Sequence, residues 1–156
     1  SKDPSSSAIY FLMSKDNSTR LLQQPYVRIG SDAGAPALTP EFTKQGIHPR
    51  AYGTFARVLN YYVREKKVLT LDEAIHRMTG LPAANLRLNK RGLLRQGYFA
   101  DIAIFDPANI RDNATFEQPH QYATGVSGVL VNGVVVVKDG VHTGAMPGLV
   151  VKRKKQ

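Results

Sequence analysis

Ala8-Ile9-Tyr10-Phe11-Leu12-Met13 is a continuous apolar run of strand length, and it predicts a buried strand over 8–13. Ser14 stands where it can cap a helix running to about Gln24, which Pro25 ends. Tyr26-Val27-Arg28-Ile29 predicts a second strand over 26–31, stopped by the turn formers Gly30-Ser31-Asp32-Ala33-Gly34. Strand, helix and strand over so short a span form a βαβ unit, which implies parallel strands buried beneath helices. Residues 34–50 carry Gly34, Pro36, Pro40, Gly46 and Pro49 and predict a long loop. Loops of that length are more often functional or mobile than merely connective.

Two helices should follow. Phe55, Val58, Leu59 and Tyr62 fall at i, i+3, i+4 and i+7 and draw one apolar stripe. Thr70-Leu71-Asp72-Glu73 is a capping box, Leu71, Ala74, Ile75 and Met78 form the next apolar face, and Gly80 then Pro82 stop that helix. From about residue 91 the period becomes that of strands. Tyr98 to Phe105 is one, closed by the turn dipeptide Asp106-Pro107. Val129 to Val137 holds Asn132-Gly133 between two apolar runs, the signature of a type I′ hairpin, and Asp139-Gly140 marks a further turn.

The fold class expected is therefore mixed α/β. The first third has parallel βα character but too few strands to close a sheet, since a complete βα barrel takes about 250 residues. The last third is antiparallel. The simplest arrangement is the C-terminal portion of a longer enzyme.

Composition narrows the chemistry. The 156 residues are 42% hydrophobic, which excludes wholesale disorder, and contain no cysteine. Disulfides, Fe–S clusters, CxxC zinc sites and thiol nucleophiles are thereby excluded. No apolar run approaches the ~18–20 residues of a membrane span, and Ser1 to Ser7 has no apolar signal core, so a cytoplasmic location is expected. The net charge of +9 invites a nucleic-acid reading, but Lys152, Arg153, Lys154 and Lys155 crowd into the terminus as a solvated tail. No zinc-finger spacing or aromatic RNA-binding motif accompanies them, so nucleic acid is not an expected partner.

Gly30-Ser31-Asp32 follows a predicted parallel strand, at the edge where barrel enzymes place catalytic groups. A carboxylate there can hold a metal and act as a general base, and the same tripeptide is also an ordinary turn. His48, His76, His120 and His142 form no HxH, HxxxH or HExxH pair, so no local metal site begins on them. His76 falls off the apolar stripe and should be solvated. His48-Pro49-Arg50 closes the long loop just before a helix start, where Arg50 could grip a carboxylate bidentately or pair with a neighbouring acid.

Tyr26 to Asp32, His48-Pro49-Arg50-Ala51-Tyr52-Gly53-Thr54-Phe55, Arg57-Val58-Leu59 and Met78-Thr79-Gly80-Leu81-Pro82-Ala83 resemble the D-aminoacylase (N-acyl-D-amino-acid deacylase) family of the amidohydrolase superfamily. Arg91-Gly92, Gly97-Tyr98-Phe99-Ala100-Asp101, Phe105-Asp106-Pro107, Val131-Asn132-Gly133 and His142-Thr143-Gly144-Ala145 continue the resemblance in order. It implies a parent enzyme with a TIM barrel flanked by a small β-sandwich. Residues 1–90 would be the last βα units of an incomplete barrel, 91–151 an antiparallel β-sandwich portion, and 152–156 a basic tail. It further implies zinc in the parent, metal-activated water as nucleophile, and an N-acyl-D-amino acid as substrate. Asp32 would match the carboxylate that binds zinc and shuttles the proton, and Arg50 the arginine that holds the α-carboxylate. The family's histidine ligands are missing from this chain, so the isolated chain is expected to bind no zinc stably and to be inactive. Exposed barrel strands would favour self-association. Ala56 and Leu149 depart from residues common in relatives, Pro and Arg respectively. Two other readings stand beside this one: part of a cyclic amide hydrolase of dihydroorotase or hydantoinase type, or a non-catalytic basic binding module using the Lys152–Lys155 tail.

Overall fold

The computed structural model describes residues 10–44 and 46–153. The chain combines a helical half with a four-stranded antiparallel sheet. Helix α1 spans Lys15–Leu22, with the Ser14 hydroxyl accepting from Asn17 N, as its sequence position predicts. A short helix α2, Pro40–Thr43, lies inside the long loop. Helix α3, Arg50–Arg57, runs without a break into a π-helical stretch over Val58–Glu65. Helix α4, Leu71–Met78, opens on the predicted capping box: Thr70 Oγ1 accepts from Glu73 N, and Glu73 accepts from Thr70 N at 2.8 Å. These bonds hold the Glu73 carboxyl below the usual glutamate range.

Three expectations need correction. Gly80 does not simply end α4; it begins a further helix α5, Gly80–Asn85, with Pro82 in its first turn where a missing N–H costs nothing. The stripe Phe55, Val58, Leu59, Tyr62 describes the buried face only in part. Val58 and Leu59 are buried, but Phe55, in α3 ahead of the π turn, is exposed, because α3 turns Gly53 and Ala56 inward, with Gly53 against Asp112 and Ala114. The strands expected over 8–13 and 26–31 form no ladder among the described residues; Ala8 and Ile9 lie outside these. Tyr10 to Met13 are exposed, and in the 26–31 segment Tyr26 belongs to a turn while 27–31 have no regular structure, with Ile29 N donating to Arg77 O. A parallel strand needs a hydrogen-bonded neighbour from a distant part of a sequence, and among the described residues these segments have none.

The sheet follows the hairpin pattern. Strands β1 (Ile102–Phe105), β2 (Val126–Val131), β3 (Val134–Lys138) and β4 (Val141–His142) pair antiparallel in that order. The predicted strand at 98–105 is shorter than expected, its first residues being taken up by turns. Asn132 and Gly133 have φ of 50° and 82°, and Asp139 and Gly140 of 50° and 78°, so both turns take the left-handed conformation that a type I′ hairpin requires. Arg91 ion-pairs with Asp101 and donates to Asn132 Oδ1 at 2.6 Å, while Asp101 Oδ1 accepts from Asn132 N at 2.9 Å. This latch ties the Ala100-Asp101 segment to the hairpin turn. The core lies where the helices meet the loop after β1: Ala56, Val58, Leu59, Leu69 and Ala74 pack with Ile110. Gly125 must be glycine there, since a Cβ would come within 2.5 Å of Ile110 Cα and its φ is +87°.

Candidate functional site

Asp32 and Arg50 sit at the two ends of the long loop, eighteen positions apart, and the fold brings them together. Arg50 Nη2 lies 2.9 Å from Asp32 Oδ2. The Asp32 side chain is 85% exposed and that of Arg50 46%, so this is a solvent-screened pair worth about 0–1 kcal/mol. Asp32 has φ of 49°, in the left-handed region that Asp tolerates better than most residues.

Arg50 is the first residue of α3. Its N–H has no intrahelical partner, and the preceding Pro49 carries no side-chain acceptor. His48 Nδ1 takes that N–H at 3.1 Å. The His48 ring stands edge-on to Phe116, with centroids 5.1 Å apart, and Phe116 in turn meets Phe11 at 4.7 Å. Burial, then the nearby Arg50 charge, pushes the His48 imidazole below its ordinary pKa, which favours the neutral ring whose Nδ1 lone pair accepts this bond.

The loop 106–125 wraps the start of α3. Asp112 Oδ2 receives Arg57 at 3.0 Å, and its Cβ lies where a Cβ on Gly53 would meet it at 3.3 Å. Tyr52 packs edge-to-face against Tyr122 at 5.7 Å and against His120 at 5.9 Å, and its hydroxyl is 3.4 Å from His120 Nδ1. Burial, reinforced by Tyr122, raises the Tyr52 hydroxyl above its usual pKa. Tyr122 reaches the far side of the long loop, its hydroxyl accepting from Leu38 N at 3.1 Å. Between these elements lies a cleft of about 410 Å³, bordered by His48, Arg50, Thr54, Arg57, Phe116 and Glu117.

The structure thus brings Asp32 and Arg50 into contact, which the sequence did not predict, and leaves His76 solvated, as expected. His142 does not join the site; it lies in β4, where its Nδ1 accepts from Gly144 N. Asp112, Phe116 and Tyr122 were not singled out by sequence reasoning. The available signal was the unusual length of the segment between β1 and β2, the same signal that marked residues 34–50. Among the described residues no group of three or more His, Cys, Asp and Glu gathers to hold a metal ion. Zinc takes about three protein ligands in a catalytic site, so Asp32 alone does not suffice. No helix of the described residues is long and apolar enough to cross a membrane.

These elements thus build a charged pair at a loop's two ends, beside a cleft at a helix start. Residues 42–137 match the sequence profile of the amidohydrolase family, and the chain belongs to that family. It is 50% identical over 144 residues to an N-acyl-D-aspartate deacylase of Alcaligenes xylosoxydans xylosoxydans, covering 92% of this chain and 27% of that protein. The crystal structure of a D-aminoacylase superposes with a TM-score of 0.84 and 42% identity, over 92% of this chain and 29% of that one. An N-acyl-D-glutamate deacylase from Bordetella bronchiseptica, solved with zinc and a phosphonate inhibitor mimicking the tetrahedral intermediate, gives 0.73 and 41%, over 81% and 25%. This chain therefore spans less than a third of the length of the relatives it matches.

Proposed function

We propose that this chain is the C-terminal part of a zinc-dependent N-acyl-D-amino-acid deacylase, inactive in isolation. The observation that carries the reading is the meeting of Asp32 and Arg50 at 2.9 Å, which puts a proton acceptor beside a carboxylate-binding cation. Deacylase relatives at 40–50% identity support it. Residues 1–90 are the last part of a βα barrel, 91–151 a β-sandwich portion and 152–156 a basic tail. The segments 10–13 and 26–31 are the strands that barrel neighbours would order, and in their absence they offer apolar surface for self-association.

In the complete enzyme Asp32 contributes one metal ligand and the remaining donors come from outside this chain. Asp32 accepts a proton from the water that attacks the acyl carbonyl and returns it to the nitrogen as the C–N bond breaks, releasing a carboxylate and a D-amino acid. Arg50 exchanges Asp32 for the substrate's α-carboxylate, which its planar fork grips bidentately.

The test compares an N-acyl-D-amino acid with its neutral α-carboxamide in the complete enzyme. The amide should be a poor substrate for the wild type. Arg50→Lys keeps the charge but loses the fork, so it should weaken the acid substrate and leave the amide little changed. Equal damage to both substrates makes Arg50 a structural loop residue and removes the main support for the D-amino-acid assignment.

A further inference from the structure

We propose that His48 is a positioning residue for Arg50, holding the start of α3 by a side-chain-to-backbone bond and itself held by Phe116. The proposal rests on the reading of Arg50 as the carboxylate clamp. Arg50 N would otherwise be an orphan donor at the helix start, and Pro49 cannot satisfy it. His48 Nδ1 does so at 3.1 Å. The ring's orientation is fixed from a remote part of the chain, by the Phe116 edge at 5.1 Å and 79°. Where the imidazole sits determines where the Arg50 backbone sits, and hence where the guanidinium reaches. Other contacts fix later parts of the same helix: Tyr52 against Tyr122, and Arg57 on Asp112. His48 acts on Arg50 itself.

The acceptor can be restored without the ring. Asn places its Oδ1 where His carries Nδ1, and Asn readily accepts from the N–H two residues on. Ala offers no acceptor, and Gln carries its own one carbon too far.

Two measurements test this. In the 156-residue chain, exchange of the Arg50 amide hydrogen should quicken about three- to tenfold in His48→Ala, the worth of one neutral hydrogen bond, and return most of the way in His48→Asn. His48→Gln replaces Ala should the smaller side chain unfold the loop. In the complete deacylase, KM for the acid substrate should rise by a similar factor in His48→Ala with kcat little changed, recover in His48→Asn, and stay level for the carboxamide. Unchanged Arg50 exchange in every variant overturns the proposal, as does equal damage to acid and carboxamide; both leave the wild type's own preference for the acid standing. A wild type that treats acid and carboxamide alike removes the clamp reading of Arg50, and this proposal with it.

Discussion

The Arg57–Asp112 pair is asymmetric, and truncating its exposed partner should cost more than truncating its buried one. The Asp112 side chain is 7% exposed and that of Arg57 50%, with Nη1 to Oδ2 at 3.0 Å. Asp112→Ala leaves a half-exposed guanidinium that water can solvate and that still stacks 4.6 Å over the Tyr61 ring. The alanine also keeps the Cβ that packs at Gly53. Its cost is about 1 kcal/mol, a single hydrogen bond. Arg57→Ala instead strands a buried carboxylate, at about 3 kcal/mol, and loses the Tyr61 contact, worth about 0.5–1 kcal/mol more. Urea unfolding of the 156-residue chain followed by circular dichroism measures both. With a slope of roughly 1–3 kcal/mol per molar, the two midpoints should separate by about 1 M or more, Arg57→Ala being the lower. Equal midpoints, or a lower one for Asp112→Ala, would show that burial does not control this pair.

Three further outcomes are expected. Asp32→Asn in the complete enzyme keeps the side-chain size but removes the proton acceptor, so kcat should fall about 10²–10⁴-fold, read from steady-state kinetics. Stoichiometric Zn²⁺ added to the 156-residue chain should produce no hydrolysis of an N-acetyl-D-amino acid, because no three donors gather among its described residues; measurable turnover refutes this. The Thr70 bonds depress the Glu73 pKa, so their stabilisation is complete above the ordinary glutamate range and is lost as pH falls through the folded-state value. Between about pH 5 and about pH 3 the wild-type Tm should therefore drop more than that of Glu73→Gln.

What could be read from sequence was what is local. The Thr70–Glu73 box, the Ser14 cap and the Asn132-Gly133 turn each place donor and acceptor within a few residues, so neighbours alone determine them. Asp32 and Arg50 were legible one at a time, from a turn and from a helix start. Their meeting was not, because it depends on the path of the intervening loop, which Tyr122 pins at Leu38 from the other half of the chain. The helical stripe held at Val58 and Leu59 but not at Phe55, because α3 turns Gly53 and Ala56 inward, Gly53 against Asp112 and Ala114 from a distant loop that no local period reveals. The segment 26–31 has the composition of a strand, but a strand is a relation between segments, and among the described residues it pairs with none.

The charge of the molecule looks different once its arginines are followed. Arg77 is 4% exposed and donates to the carbonyls of Leu22 and Gln24 at the end of α1. Arg64 donates to Pro107 O and Ile110 O, Arg28 to Asn85 Oδ1, and Arg91 closes the latch on Asp101 and Asn132. A planar fork of five donors suits bracing of this kind, which a lysine point charge cannot copy. Four of the 21 basic residues thus serve as cross-links between segments, whereas a nucleic-acid face needs cations collected on one surface. Arg50 stands apart from this group. Its partner Asp32 is almost fully solvated, so the pair is weak and can be given up to an incoming carboxylate at little cost. Its backbone, by contrast, is held by His48. A loosely engaged head on a firmly held start of helix is what a carboxylate clamp requires: the charge is free to change partners while its position is not.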